Sequence, residues 1–226
     1  MIIIAGSNSG LVNEIIKFST GSEIIVALYN KNKPKFKKKN LCFFKQNFTK
    51  TINKDLIKFI EKRNDKKITI TNFVSIKKDM VSYKIQKKDF LETFDVNVFG
   101  FFIFIKTFLP LMIQNKWGRI INISSTGGLR GDIGTVLYTS SKNATLGMFN
   151  VLAKEYSRFN ITFNSISLGS FNTGMYKKLP DDIKQKILSN IPSHKNGNFR
   201  NIFNGINFIK KSDYVNGSNI KIDGGM

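Results

Sequence analysis

The chain has 226 residues, of which 41% are hydrophobic, a length and apolar content that suit one α/β domain and exclude the disordered class. Lys and Arg total 36 against 15 Asp and Glu, a formal net charge of +21. That balance admits nucleic acid, an acidic partner or plain compositional bias, and dispersed lysines in a chain rich in Lys, Asn, Ile and Phe favour bias over nucleic acid.

The chain opens Met1-Ile2-Ile3-Ile4-Ala5, a short apolar run that reads as a buried strand rather than a leader peptide. Leu11 to Ser19 reads as a helix, Ile24 to Leu28 as a second strand and Leu41 to Phe44 as a third. The run Lys31 to Lys39 between the last two reads as a solvated loop. Cys42 is the single cysteine, which precludes an internal disulfide, and its apolar neighbours place it in the core. Leu56 to Lys62 is helical, and Ile68 to Ile70 forms a fourth strand. A long helix follows over about Phe90 to Gln114, then a fifth strand over Arg119 to Ile123. A second long helix covers about Val136 to Phe159, with strands at Ile161 to Leu168 and Ile220 to Ile222. The alternation predicts a doubly wound, seven-stranded parallel sheet with helices on both faces, in a single domain over residues 1–226.

The polar segment 174–198, with Pro180 and Pro192, has the length of a lid. Its one histidine, His194, is the only one in the chain, too few for a metal cluster. The longest apolar stretch, near Val98 to Ile105, is shorter than the ~20 residues of a membrane span. A soluble, cytoplasmic protein without a membrane role is expected.

Gly6-Ser7-Asn8-Ser9-Gly10 joins the first strand to the first helix. Glycines there let the backbone turn sharply and let a pyrophosphate approach the free N–H groups of the helix. Taken alone, this turn fits an ordinary strand–helix connection equally well. Tyr138 and Lys142 are four residues apart and share one face of a helix. The fifth strand ends Ile123-Ser124-Ser125, where only one of two adjacent serines can point the right way. Asn97 stands on the preceding long helix.

These residues resemble the short-chain dehydrogenase/reductase family, in particular 3-oxoacyl-acyl-carrier-protein reductases. Asn97, Ser125, Tyr138 and Lys142 match its Asn-Ser-Tyr-Lys tetrad in order and spacing. Gly6 and Gly10 match its glycine turn, with Val12 replacing the third glycine. Tyr214 to Gly225 resembles its Tyr-x-Thr-Gly…Val-Asp-Gly-Gly ending. The resemblance spans Gly6 to Gly225 and implies a Rossmann fold and NAD(P)(H)-dependent hydride transfer between a nicotinamide and a ketone or secondary alcohol.

A free phenol has a pKa near ~10, and a lysine ammonium one turn away favours its phenolate. Tyr138 is thus the implied proton donor or acceptor, and Lys142 the residue that lowers its pKa and holds the nicotinamide ribose. Ser125 would hold the carbonyl oxygen, and Asn97 a water linking Lys142 to solvent. The resemblance assigns the cofactor to Gly6, Ser9, Gly10, Leu11, Asn30, Lys31, Asn47, Asn72, Tyr138, Lys142, Gly169, Phe171 and Thr173. Asn30 and Lys31 replace the acidic residue that would bind a ribose 2′-hydroxyl, which favours NADP(H) over NAD(H). Asn47 would offer an acceptor to adenine, and Thr173 would bond the carboxamide. Phe73 and Val74 replace small residues near the ribose.

Three functions fit: a reductase of a 3-oxoacyl thioester carried on an acidic acyl carrier protein, a dehydrogenase of a sugar or other small alcohol, or a binding protein that kept the fold without turnover. Phe99, Phe101, Phe102, Phe104 and Phe108 make the first long helix apolar nearly all round, as for burial against both a sheet and another subunit. A homotetramer is expected, a dimer next.

Overall fold

The computed structural model describes residues 1–19, 21, 23–36 and 38–226, with backbone only at residues 174 and 175. Its strands are β1 (Ile2–Ala5), β2 (Ile25–Tyr29), β3 (Leu41–Lys45), β4 (Thr69–Asn72), β5 (Gly118–Ser125), β6 (Ile161–Leu168) and β7 (Asn219–Ile222). All pair in parallel, in the order β3-β2-β1-β4-β5-β6-β7. The order reverses direction between β1 and β4, and such a switch point leaves a crevice beyond the strand C-termini where ligands bind.

The helices are α1 (Gly10–Phe18), α2 (Lys54–Arg63), α3 (Lys87–Phe94), α4 (Gly100–Asn115), α5 (Thr126–Arg130), α6 (Val136–Tyr156), α7 (Gly174–Lys177), α8 (Asp181–Ser189) and α9 (Phe199–Lys211). On one face, Leu56 and Ile60 of α2, Phe101, Phe104, Ile105 and Phe108 of α4, and Phe149 of α6 bury a single large cluster with Ile70, Ile120 and Phe163 of the sheet. On the other, Ile15 of α1 joins Ile202, Ile206 and Ile209 of α9 over β5 and β6. Val12 is fully buried with Ile4, Ile16 and Ile25, so the residue replacing the third glycine packs into this core.

The structure departs from the sequence pattern at several places. The long helix over Phe90 to Gln114 is α3 and α4 joined by a π-helical turn over Asp95–Phe99. Together they span Lys87–Asn115, long and apolar enough by composition to cross a membrane, yet the inner face belongs to the sheet core. The second long helix ends at Tyr156 and continues as a 3-10 turn to Phe159. Segment 174–198 is not a plain loop, since it forms α7 and α8, and α9 follows without having been expected. The outer strands β3 and β7 are only partly covered, so Cys42 is half-buried rather than core. In the lysine run, Lys38 turns inward, and its ammonium donates to the Ile16 and Ser19 carbonyls at the end of α1. Lys37 lies outside the described residues.

The loop after β3 crosses the start of α4 at Gly100, where a Cβ would run into the main-chain carbonyl of Phe48. Phe48 in turn packs at a tilt against Phe104, with ring centroids 5.2 Å apart. Gly100→Ala is therefore expected to lower stability by about 1–3 kcal/mol in urea unfolding, because backbone must move to admit the methyl. An unchanged midpoint would show that the loop does not rest on the helix.

Candidate active site

The C-terminal ends of β1, β2, β4, β5 and β6 border one cavity of about 790 Å³. Its size lies in the ~300–1,000 Å³ range of small-molecule and cofactor sites. At one end the turn after β1 contributes Gly6, Asn8, Ser9 and Leu11. Gly6 has φ +83°, and a Cβ there would press on the backbone of Phe73 and Val74 at 3.0 Å, so this position requires glycine. Ser9 caps α1, its hydroxyl accepting from the Leu11 N–H at 3.3 Å. The remaining N–H groups of that first turn face an anion favourably.

The reacting end is built by two buried chains of hydrogen bonds. In the first, Asn72 accepts from the Val74 N–H at 3.0 Å and donates to Asn122 at 3.0 Å. Asn122 donates to Thr145 at 3.2 Å, and the Thr145 hydroxyl donates to the Lys142 carbonyl at 2.7 Å. In the second, Asn97 clamps Ile76, accepting from its N–H at 2.8 Å and donating to its carbonyl at 2.9 Å. Asn97 also donates to the Ser141 hydroxyl at 3.0 Å, which donates to the Tyr138 carbonyl at 2.8 Å. Both chains tie the segment after β4 to the stretch of α6 that carries Tyr138 and Lys142.

Ser125, Tyr138 and Lys142 line the cavity together. The Ser125 hydroxyl accepts from the Gly128 N–H at 3.3 Å as the cap of α5. Lys142 is buried, its ammonium 5.5 Å from the Tyr138 ring centroid and donating to the Ile123 carbonyl at 3.2 Å. Burial raises the Tyr138 pKa above the ordinary phenol value, partly offset by the Ser125 and Ser75 hydroxyls, with Asp79 reinforcing the rise. Burial outweighs the two hydroxyls, so the resting phenol lies above its ordinary range. Burial also lowers the Lys142 pKa to about 8.

Gly6, Ser9, Leu11, Asn30, Lys31, Asn47 and Gly169 line the same cavity. Five expected site residues are not among its lining. Gly10 is the first residue of α1. Asn72 and Asn97 are committed to the buried chains, so neither side chain reaches Lys142. Phe171 turns into the core beside Phe199, its ring filling the space next to Gly197. The Thr173 N–H bonds the Phe171 carbonyl at 2.7 Å. The Asn47 oxygen already accepts from the Thr49 N–H and hydroxyl, both at 3.0 Å, so it is not free for adenine. Conversely, Asn8, Asn32, Ser75 and Ser124 line the cavity without having been singled out as site residues. Asn8 carried a signal in its place between the two glycines, and Ser124 in its place beside Ser125 at the strand end. Ser124 borders the cavity as Ser125 does, and its buried hydroxyl has no partner among the described residues. Cavity size, an open helix N-terminus and that orphan hydroxyl fit a dinucleotide.

The family model for short chain dehydrogenases matches residues 1–184. The chain belongs to that family. As a short-chain dehydrogenase it is an oxidoreductase that uses NAD(P)(H). It is 31% identical over 236 residues to the 3-oxoacyl-[acyl-carrier-protein] reductase FabG of Rickettsia bellii, covering 99% of this chain and 95% of that protein. The enzyme of the same name from Aquifex aeolicus is 33% identical over 159 residues, 70% of this chain and 64% of that one. Among solved structures, ElxO with NADP bound superposes with a TM-score of 0.83 at 22% identity, over 99% of this chain and 97% of that one.

The buried lysine of this short-chain dehydrogenase has a measurable consequence. Lys142 ionises at about 8 when folded, below the ordinary 10.5. Between those values the unfolded chain binds more protons, so the charge penalty is full below pH 8 and is relieved as pH rises to 10.5. Wild-type stability should therefore gain on that of Lys142→Met by on the order of 1–3 kcal/mol across this window in urea unfolding. Parallel pH curves for the two proteins would show that the ammonium is solvated.

Proposed function

We propose that this protein is an NADPH-preferring reductase of a 3-oxoacyl thioester or a similar ketone. The observation that carries the reading is one cavity lined by Ser125, Tyr138 and Lys142 at one end and by the glycine turn at the other. The nicotinamide, when bound, supplies the hydride that reaches the carbonyl carbon. Tyr138 provides the proton to the carbonyl oxygen, and its raised pKa keeps the phenol protonated at neutral pH, the form that reduction needs. Ser125 donates a hydrogen bond to the same oxygen as charge builds on it. Lys142 would hold the nicotinamide ribose and, in its ammonium form 5.5 Å from the Tyr138 ring centroid, would stabilise the phenolate left behind. Asn97 acts through Ile76 and Ser141, holding both walls of the reacting end.

The coenzyme preference rests on Asn30, Lys31 and Asn32, which line the adenosine end of the cavity without a carboxylate. A 2′-phosphate would gain charge-assisted hydrogen bonds there, whereas no acidic group receives a 2′-hydroxyl. The acyl-carrier reading draws on the names of the relatives and on the net charge of +21, which suits an acidic carrier. Exposed Phe90, Leu91, Phe99 and Val151 support assembly as a homotetramer or dimer.

The test is NADPH oxidation with an acetoacetyl thioester, free or on acyl carrier protein. Tyr138→Phe should lower kcat by about 10²–10⁴-fold while NADPH still binds. Absence of turnover by wild-type protein across acyl thioesters and small ketones would overturn the reading. Lys31→Glu should raise the KM for NADPH about tenfold and leave that for NADH nearly unchanged. Equal effects on both coenzymes would move the 2′-phosphate elsewhere.

A further inference from the structure

Asp223-Gly224-Gly225 follows β7 and is not among the residues lining the large cavity. The stretch nevertheless joins three elements at the reacting end. The Gly169 N–H, just after β6, donates to the Ile222 carbonyl at 3.0 Å. The Ser193 N–H donates to the Gly224 carbonyl at 3.1 Å. The Thr126 hydroxyl, from a residue 97 positions earlier in the chain, donates to Asp223 Oδ2 at 3.0 Å. The other carboxylate oxygen, Oδ1, accepts from the Gly225 N–H at 3.0 Å, which fixes the orientation of the group. Close approach is possible because residue 169 is glycine: a Cβ there would stand 2.7 Å from the Asp223 Cα.

Thr126 begins α5, and α5 cannot hold itself. It has five residues, Gly127 and Gly128 among them. Isolated helices shorter than about 12–15 residues are marginal in water, and glycine weakens them further. Its place is therefore set by its neighbours. On one side Gly128 lies against the catalytic pair, since a Cβ there would stand 2.9 Å from the Tyr138 ring and 3.1 Å from the Lys142 side chain. On the other, the hydroxyl of buried Thr126 meets the Asp223 carboxylate, and a bond to an ionised acceptor is stronger than a neutral one. Ser125 is the cap between them. Its oxygen accepts from the Gly128 N–H at 3.3 Å, which leaves its single hydrogen free to donate. The direction of that hydrogen depends on where its chain neighbour Thr126 is pinned.

We propose that Asp223 is a positioning residue for the catalytic centre, pinning Thr126 so that α5 presents the Ser125 hydroxyl beside Tyr138. The assignment rests on the reductase reading above, and one arm of its test needs no turnover. Amide hydrogen exchange of the purified protein is followed over residues 126–131. Asp223→Ala should speed exchange there about tenfold and leave the core of α4 unchanged. In turnover, Asp223→Ala and Thr126→Val should each lower kcat about five- to twentyfold with unchanged NADPH affinity. The double variant should lose no more than either single one, because both remove the same bond. Asp223→Asn, which keeps an acceptor for the Thr126 hydroxyl, should recover most of the rate. Exchange over 126–131 that matches wild type in Asp223→Ala would overturn the proposal, as would faster exchange with full turnover, or a double variant whose loss is the product of the single losses. A wild-type protein that reduces no ketone removes the reductase reading and the assignment with it, and faster exchange in Asp223→Ala would then show that the reading failed and not the contact.

Discussion

Two buried hydrogen-bond chains hold the segment after β4 against α6, and the geometry of the reacting end depends on them. One runs from Val74 through Asn72, Asn122 and Thr145 to the Lys142 carbonyl. The other runs from Ile76 through Asn97 and Ser141 to the Tyr138 carbonyl. Each bond contributes only about 0.5–1.5 kcal/mol net, but breaking one leaves buried partners unpaired at a cost of about 1–3 kcal/mol. The cost of breaking, more than the gain of making, is what keeps Tyr138 and Lys142 in register with the loop across from them. Phe101, Phe149 and Phe163 pack on one another where α4, α6 and β6 meet.

The π-turn over Asp95–Phe99 gives the second chain its reach. An α-helix places successive side chains 100° apart, and the extra residue of a π-turn shifts that phase locally. Asn97 thereby turns inward, where one amide clamps Ile76 and touches α6 through Ser141. The core helix can then keep Phe101, Phe104 and Phe108 on the sheet over its remaining length. Irregular helical turns of this kind recur at functional sites because they spare one side chain from the regular face.

The sequence shows most clearly what is local. The apolar run Ile2–Ala5 coincides with β1 because a strand buried on both faces is apolar throughout, and β6 keeps the expected bounds Ile161–Leu168 although it also buries Thr162, Asn164, Ser165 and Ser167. Tyr138, Lys142 and Ser125 are legible because a four-residue helical spacing and a strand end fix their directions. What escapes is non-local. The partners of Asn97 lie 21 and 44 residues away, and no pattern within the helix announces them. Phe171 is turned into the core by Phe199 and Gly197, beyond its own loop. Helix α9 escapes because its apolar stripe of Ile202, Ile206 and Ile209 is interleaved with Asn and Gly, which are weak helix formers.

The departures in the glycine turn also resolve in three dimensions. Val12 faces the core between α1 and the sheet and does not line the cavity. Phe73 packs against the same core while its backbone rests against Gly6 and borders the cavity. Whether the cavity beyond β1 and β4 receives a nicotinamide dinucleotide is tested by direct titration. Purified protein added to NADPH, and separately to NADH, should give saturable enhancement of nucleotide fluorescence at micromolar concentrations, tighter for NADPH. No binding of either at millimolar nucleotide would contradict the account, because a short-chain dehydrogenase that cannot hold its coenzyme has no hydride to move.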